Sequence, residues 1–116
     1  MNKIPDTWTL AKEYVYKNQY KIWIFVKYDN IGKHILYFDC FLEVDKDEDV
    51  RIANEVYTKK DFVSNNWKYL FKKYTMLDVY EWALGDIKKY CEEKVDEMYF
   101  QRDITNGIPE SLEKLR

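Results

Sequence analysis

The sequence predicts an α+β fold: a three-stranded antiparallel meander packed with helices, in the order α-β-β-β-α-α, the second C-terminal helix being long. Three observations carry this. Tyr20 to Val44 alternates large side chains on both sides of a polar break. From Phe62 to Met98 apolar residues recur at steps of three and four. Thr58 with Asp61, and Thr75 with Asp78, mark two helix starts.

The N-terminal segment "DTWTLAKEYVYKN" offers Asp6 as an N-cap and puts Trp8, Ala11 and Val15 in one stripe. That pattern predicts a helix over residues 7–17, although the "YVY" triplet favours a strand. In the hairpin, "NIG" (Asn30 to Gly32) fits a three-residue connection with glycine at the left-handed position. That loop pairs Tyr28 with His34, Val26 with Leu36, Ile24 with Phe38, Ile22 with Cys40 and Tyr20 with Leu42. This set is the predicted core face, because a one-residue slip would turn every one of these side chains to the other side. After the polar turn "DKDED", the third strand "VRIANEVY" extends the core face with Val50, Ile52 and Val56.

The first C-terminal helix then carries Phe62, Val63, Trp67, Leu70, Phe71 and Tyr74 on its apolar stripe. The second, over residues 76–100, repeats Leu77, Tyr80, Leu84, Ile87, Cys91, Val95 and Met98. At ~1.5 Å per residue it would be about 37 Å long, more than a small sheet needs for cover. Gly85 inside it suggests close packing or a slight bend. "TNG" reads as a turn, and Pro109 as the first position of a short final helix.

At 116 residues, with no linker or repeat, the chain reads as one domain spanning residues 1–116. The hydrophobic share of 47% and the charged share of 34% are those of a folded protein. A net charge of −2 excludes both a strongly basic nucleic-acid binder and a heavily acidic DNA mimic. Cys40 and Cys91 lack metal or redox spacing and read as reduced core thiols of a cytoplasmic protein. No apolar run approaches the length of a membrane span, and no membrane partner is expected. The Lys, Asn and Ile bias points to an AT-rich bacterial or phage genome.

No catalytic pattern emerges. His34 is the one histidine, so a multi-histidine metal site is excluded. Asp45, Asp47 and Asp49 echo the start of a calcium loop, but Val50 and Val56 stand where that loop needs Gly and Glu. Three glycines leave no phosphate-binding loop. No cofactor is expected. Two acidic side chains meeting in the fold as a hydrolytic pair stay open as the weakest reading.

The feature that asks for a function is the second face of the hairpin. It pairs Lys27 with Ile35, Phe25 with Tyr37, Trp23 with Asp39 and Lys21 with Phe41, and the third strand adds Arg51, Ala53, Glu55 and Tyr57. Large aromatics ringed by both signs of charge suit three uses. The face is covered by the chain's own N-terminal helix or tail, it binds another protein or a second copy, or it stacks nucleic-acid bases. The expectation is a non-catalytic protein-interaction module, a small accessory or inhibitor protein and a candidate homodimer. Its anchors would be Trp23, Phe25, Tyr37 and Phe41, its rim Lys21, Lys27 and Asp39, with Trp82 on the long helix as a further anchor. The alternative, nucleic-acid binding, would add a strip of Lys68 and Lys72 one helical turn apart.

Overall fold

Four strands rather than three form the sheet of the computed structural model, which describes residues 7–29 and 34–106, the last seven of these by their backbone course alone. The order is β1 (Thr9–Tyr16), β2 (Tyr20–Asp29), β3 (Ile35–Asp45), β4 (Glu48–Tyr57), α1 (Lys59–Asn65), a 3-10 turn (Trp67–Leu70) and α2 (Met76–Asn106). The strands are antiparallel neighbours in chain order, a plain meander.

The segment expected as an N-terminal helix is therefore β1. Its alternation decides the matter: Lys12, Tyr14 and Tyr16 point to one side, while Leu10, Glu13 and Val15 point to the other, each opposite a β2 residue. The turn that joins the two strands has no glycine. Lys17 and Asn18 take positive φ (52° and 60°) and the Gln19 amide donates to the Tyr16 carbonyl at 3.2 Å. Asparagine tolerates that left-handed conformation better than most residues, which is why the turn is quiet in the sequence. Asp6, the expected N-cap, lies outside the described residues.

The hairpin faces are as expected, but its register is not. Ile22 pairs with Leu42, Ile24 with Cys40, Val26 with Phe38 and Tyr28 with Leu36. The pairing is displaced by two residues, because the ladder closes at Asp29 and Ile35, which lengthens the connection. A two-residue slip keeps every side chain on its face, so alternation cannot detect it. The "NIG" loop itself lies outside the described residues. His34, with φ 53°, hydrogen-bonds the Tyr28 hydroxyl through Nδ1 instead of pairing with Tyr28 in the ladder.

In β4 a bulge overturns the expected faces. Cys40 pairs with Ala53 and Phe41 with Arg51, so Ile52 is the extra residue. Beyond it the alternation swaps. Ala53 and Tyr57, expected on the second face, are buried in the core, while Val56, expected in the core, is 48% exposed. The β3–β4 turn is the tight Lys46–Asp47 pair between Asp45 and Glu48.

One face of the sheet is covered by α2. Its buried residues Val79, Ala83, Ile87, Cys91 and Val95 stand four apart and meet Ile22, Ile24, Phe38, Cys40 and Leu42 of the central strands. Leu77, expected on this stripe, is exposed. Gly85 is not a close-packing device, since a side chain there would meet open space. The helix begins with the expected box: the Asp78 amide donates to Thr75 Oγ1, and the Thr75 amide donates to Asp78 at 2.8 Å. It runs on through Thr105 and Asn106, the first two residues of the expected turn, while Gly107 and the expected helix at Pro109 lie outside the described residues. Among the described residues, no helix is long and apolar enough to cross a membrane.

Both edge strands clamp α2 through tyrosine hydroxyls. Tyr14 donates to Glu92 at 2.8 Å and Tyr16 to Asp96 at 2.9 Å from β1, while Tyr57 donates to Asp86 at 2.7 Å from β4. Burial, then the hydrogen bond to the carboxylate, pushes the Tyr14 and Tyr57 phenols well above the ordinary tyrosine range. A phenol raised in the folded state contributes stability that is complete below its unfolded value of about 10 and is lost as pH rises above it. The chain is therefore expected to lose stability progressively above about pH 10, and the Tyr14→Phe/Tyr57→Phe double variant to lose it less steeply. Denaturant titrations at several alkaline pH values measure this, and identical slopes for the two proteins would refute it.

Candidate interaction surfaces

The sheet face turned away from α2 carries the residues singled out from the sequence. Trp23 now pairs with Phe41, Phe25 with Asp39 and Lys27 with Tyr37. They form two tiers. Phe25 (1% exposed), Phe41 and Asp39 are buried. Lys21, Trp23 and Tyr37 are half-buried, and Lys27 is exposed. The buried tier is a small second core. Phe25 and Phe41 meet edge to face at 6.0 Å, and the Arg51 guanidinium lies 5.7 Å from the Phe41 ring centre.

Asp39 is the buried carboxylate among these rings. Arg51 Nη2 donates to its Oδ2 at 3.0 Å, and Arg51 Nε lies 2.8 Å from Oδ1. The second contact is close but poorly aimed, so Oδ1 takes the charge attraction without a well-directed hydrogen bond. The β4 bulge does this work locally: it leaves Arg51 opposite Phe41 and within reach of Asp39. In the accessible tier, Lys21 pairs with Glu13 at 2.8 Å and its ammonium lies 5.0 Å from the Trp23 ring centre. Leu10, Val15 and Val56 add exposed apolar surface on the same face.

Trp82 belongs to the other layer. It is half-buried and packs edge to face on Tyr57 and Phe62, each about 5.5–5.9 Å away between ring centres. A depression beside it is lined by Glu55, Asp61 and Asp86. Two of these acids are already engaged: Asp61 closes the α1 capping box with Thr58, and Asp86 accepts from Tyr57. The groove thus sets Glu55 beside two acids whose roles lie in the fold.

The first C-terminal helix is much shorter than expected. Asn65 and Asn66 stop it, because their side-chain amides donate to the Asp61 and Phe62 carbonyls at 2.8 and 2.9 Å, taking over acceptors of the last turn. Lys68 sits in the 3-10 turn and Lys72 beyond it, so the two lysines do not share a helix face. The apolar stripe breaks at the same point. Phe62 is buried, with Val63, Tyr69 and Tyr74 packed beside it, but Trp67, Leu70 and Phe71 are 80%, 61% and 91% exposed. Sequence periodicity placed these three in the core. The signal against it was the Asn-Asn pair, which competes with helix in mid-segment.

No family model matches this chain, and no curated protein or solved structure matches it either.

Proposed function

We propose that this chain is a non-catalytic binding module that engages another protein through the sheet face opposite α2. The observation that carries the reading is the two-tier build of that face. Buried Phe25, Phe41 and Asp39 hold half-exposed Trp23 and Tyr37 in place, between exposed Leu10, Val15 and Val56 and the charged rim of Lys21 and Lys27. An antiparallel sheet with a helix layer on one side commonly turns a polar face to water on the other, so large apolar side chains on that face favour association, and aromatic anchors within a polar rim are a common make-up of such contacts. Trp23 and Tyr37 are the anchors, while Phe25 and Phe41 are buried beside them on the same face. The role is accessory or inhibitory, in the cytoplasm of a bacterium or of a phage-infected cell, and the partner is a second copy or another protein.

Light scattering of the purified chain identifies a self-complex, and affinity capture with the wild-type chain identifies any other. In either complex Trp23→Ala is expected to weaken binding by more than about 1 kcal/mol, roughly a fivefold rise in Kd, with the circular dichroism spectrum unchanged. Unaltered affinity would remove the face from the reading, and an unfolded variant would make Trp23 a core residue.

A further inference from the structure

We propose that the 3-10 turn and the residues after it dock on an anionic lipid surface, with Trp67, Leu70 and Phe71 entering the headgroup–acyl boundary and Lys68, Lys72 and Lys73 meeting the lipid charges. In a 3-10 turn positions three apart eclipse, so Trp67 and Leu70 share one side, and exposed Phe71 follows directly after the turn. Tyr69 alone points inward. Its ring lies 4.9 Å from Phe62 and 6.3 Å from Tyr74, with Phe62 and Tyr74 5.1 Å apart. This aromatic base fixes the turn, so the exposure of its three largest apolar side chains is built in.

Charge selects the occupant. Residues 59–77 hold five lysines and one aspartate, and that aspartate, Asp61, is tied into the α1 capping box. The rest of the chain carries fourteen basic against twenty acidic residues. An anionic surface therefore attracts this end and repels the remainder, which sets the orientation of approach. Lys72 and Lys73 have no ion-pair partner among the described residues, and Lys68 lies over Tyr69 at 5.3 Å. The acids of the adjoining α2 turn are Asp78, held in its own cap by Thr75, and exposed Glu81. Surface association of this kind needs apolar insertion plus a basic patch and no membrane-spanning helix. The ridge is separate from the sheet face opposite α2, so this inference stands independently of the protein-binding reading.

The test is co-sedimentation of the purified chain with phosphatidylcholine vesicles, with and without phosphatidylserine. The wild-type chain is expected to partition onto the anionic vesicles, weakly onto the neutral ones, and less as salt is raised. Trp67→Ala/Phe71→Ala and Lys72→Glu/Lys73→Glu are each expected to lower partitioning on anionic vesicles about tenfold or more. Both keep the native circular dichroism spectrum and Tm, because the altered side chains are exposed. Trp23→Ala leaves partitioning unchanged. Failure of the wild-type chain to bind anionic vesicles overturns the proposal, as does binding that survives the loss of Trp67 and Phe71. If the Trp67→Ala/Phe71→Ala variant instead dissociates a dimer that ignores vesicles, the ridge belongs to a second copy and the lipid assignment falls.

Discussion

Phe38→Ala is expected to destabilise the protein by about 3–5 kcal/mol, read as a lower denaturation midpoint at unchanged slope. Phe38 lies in the middle of β3, has no exposed surface, and meets Tyr57 edge to face at 5.5 Å. Removing its ring costs the transfer of that surface and leaves a cavity that α2 cannot collapse into, because the tyrosine clamps from β1 and β4 hold the helix at both sides. Total stability of a domain this size is roughly 5–15 kcal/mol, so the variant approaches the edge of folding. Phe71→Ala is the control. The same deletion at a nearly fully exposed site is expected to change stability by no more than about 0.5 kcal/mol. Equal losses at the two positions would contradict the exposure of the ridge.

Arg51→Ala is expected to cost about 2–3 kcal/mol. Breaking a buried ion pair from one side usually costs roughly 3–5 kcal/mol, because the remaining charge stays buried without its partner. Here the penalty is discounted, since Arg51 is 58% exposed although the Asp39 side chain is only 4% exposed. Most of the cost is the Asp39 carboxylate, enclosed beside Phe25 and Phe41. Adding Asp39→Asn to Arg51→Ala is therefore expected to recover at least about 1 kcal/mol, because a neutral amide is cheaper to bury than an unpaired carboxylate. A double-mutant cycle in urea measures this. Additive losses would mean that Asp39 does not depend on Arg51, and that the second core is held by its rings alone.

Much of the architecture was legible along the chain. Thr58 and Thr75 announced two helix starts, and both caps form, since a hydroxyl and a carboxylate three residues on satisfy local amides whatever else the fold does. Alternation in Tyr20–Val44 placed Ile22, Ile24, Val26, Leu36 and Phe38 on one face, and they are core. It also marked Trp23, Phe25, Tyr37 and Phe41 as a second aromatic face, and they do share one side of the sheet. It could not divide that face into supports and anchors. Phe25 is buried and Trp23 half-buried on the same strand, a difference set by neighbours on other strands.

The misreadings share a cause. Trp8, Ala11 and Val15 fit a helical stripe, but pairing with β2 offered the segment a ladder and a core-facing row of Lys12, Tyr14 and Tyr16, which helix could not match. Ile52 became a bulge residue, so Ala53 and Tyr57 turned into the core and Val56 out of it. Trp67, Leu70 and Phe71 kept their helical spacing in sequence, but two asparagines ended the helix before them.

Local chemistry along the chain thus set where helices begin, which hairpin residues share a face, and that the protein would build a helix layer on an antiparallel sheet. Strand number, register, the bulge in β4 and the exposure of the lysine-flanked ridge came from the assembled fold. The reason is physical. Capping and alternation act over three or four neighbouring residues, whereas register and burial depend on what another strand or helix presents across the gap.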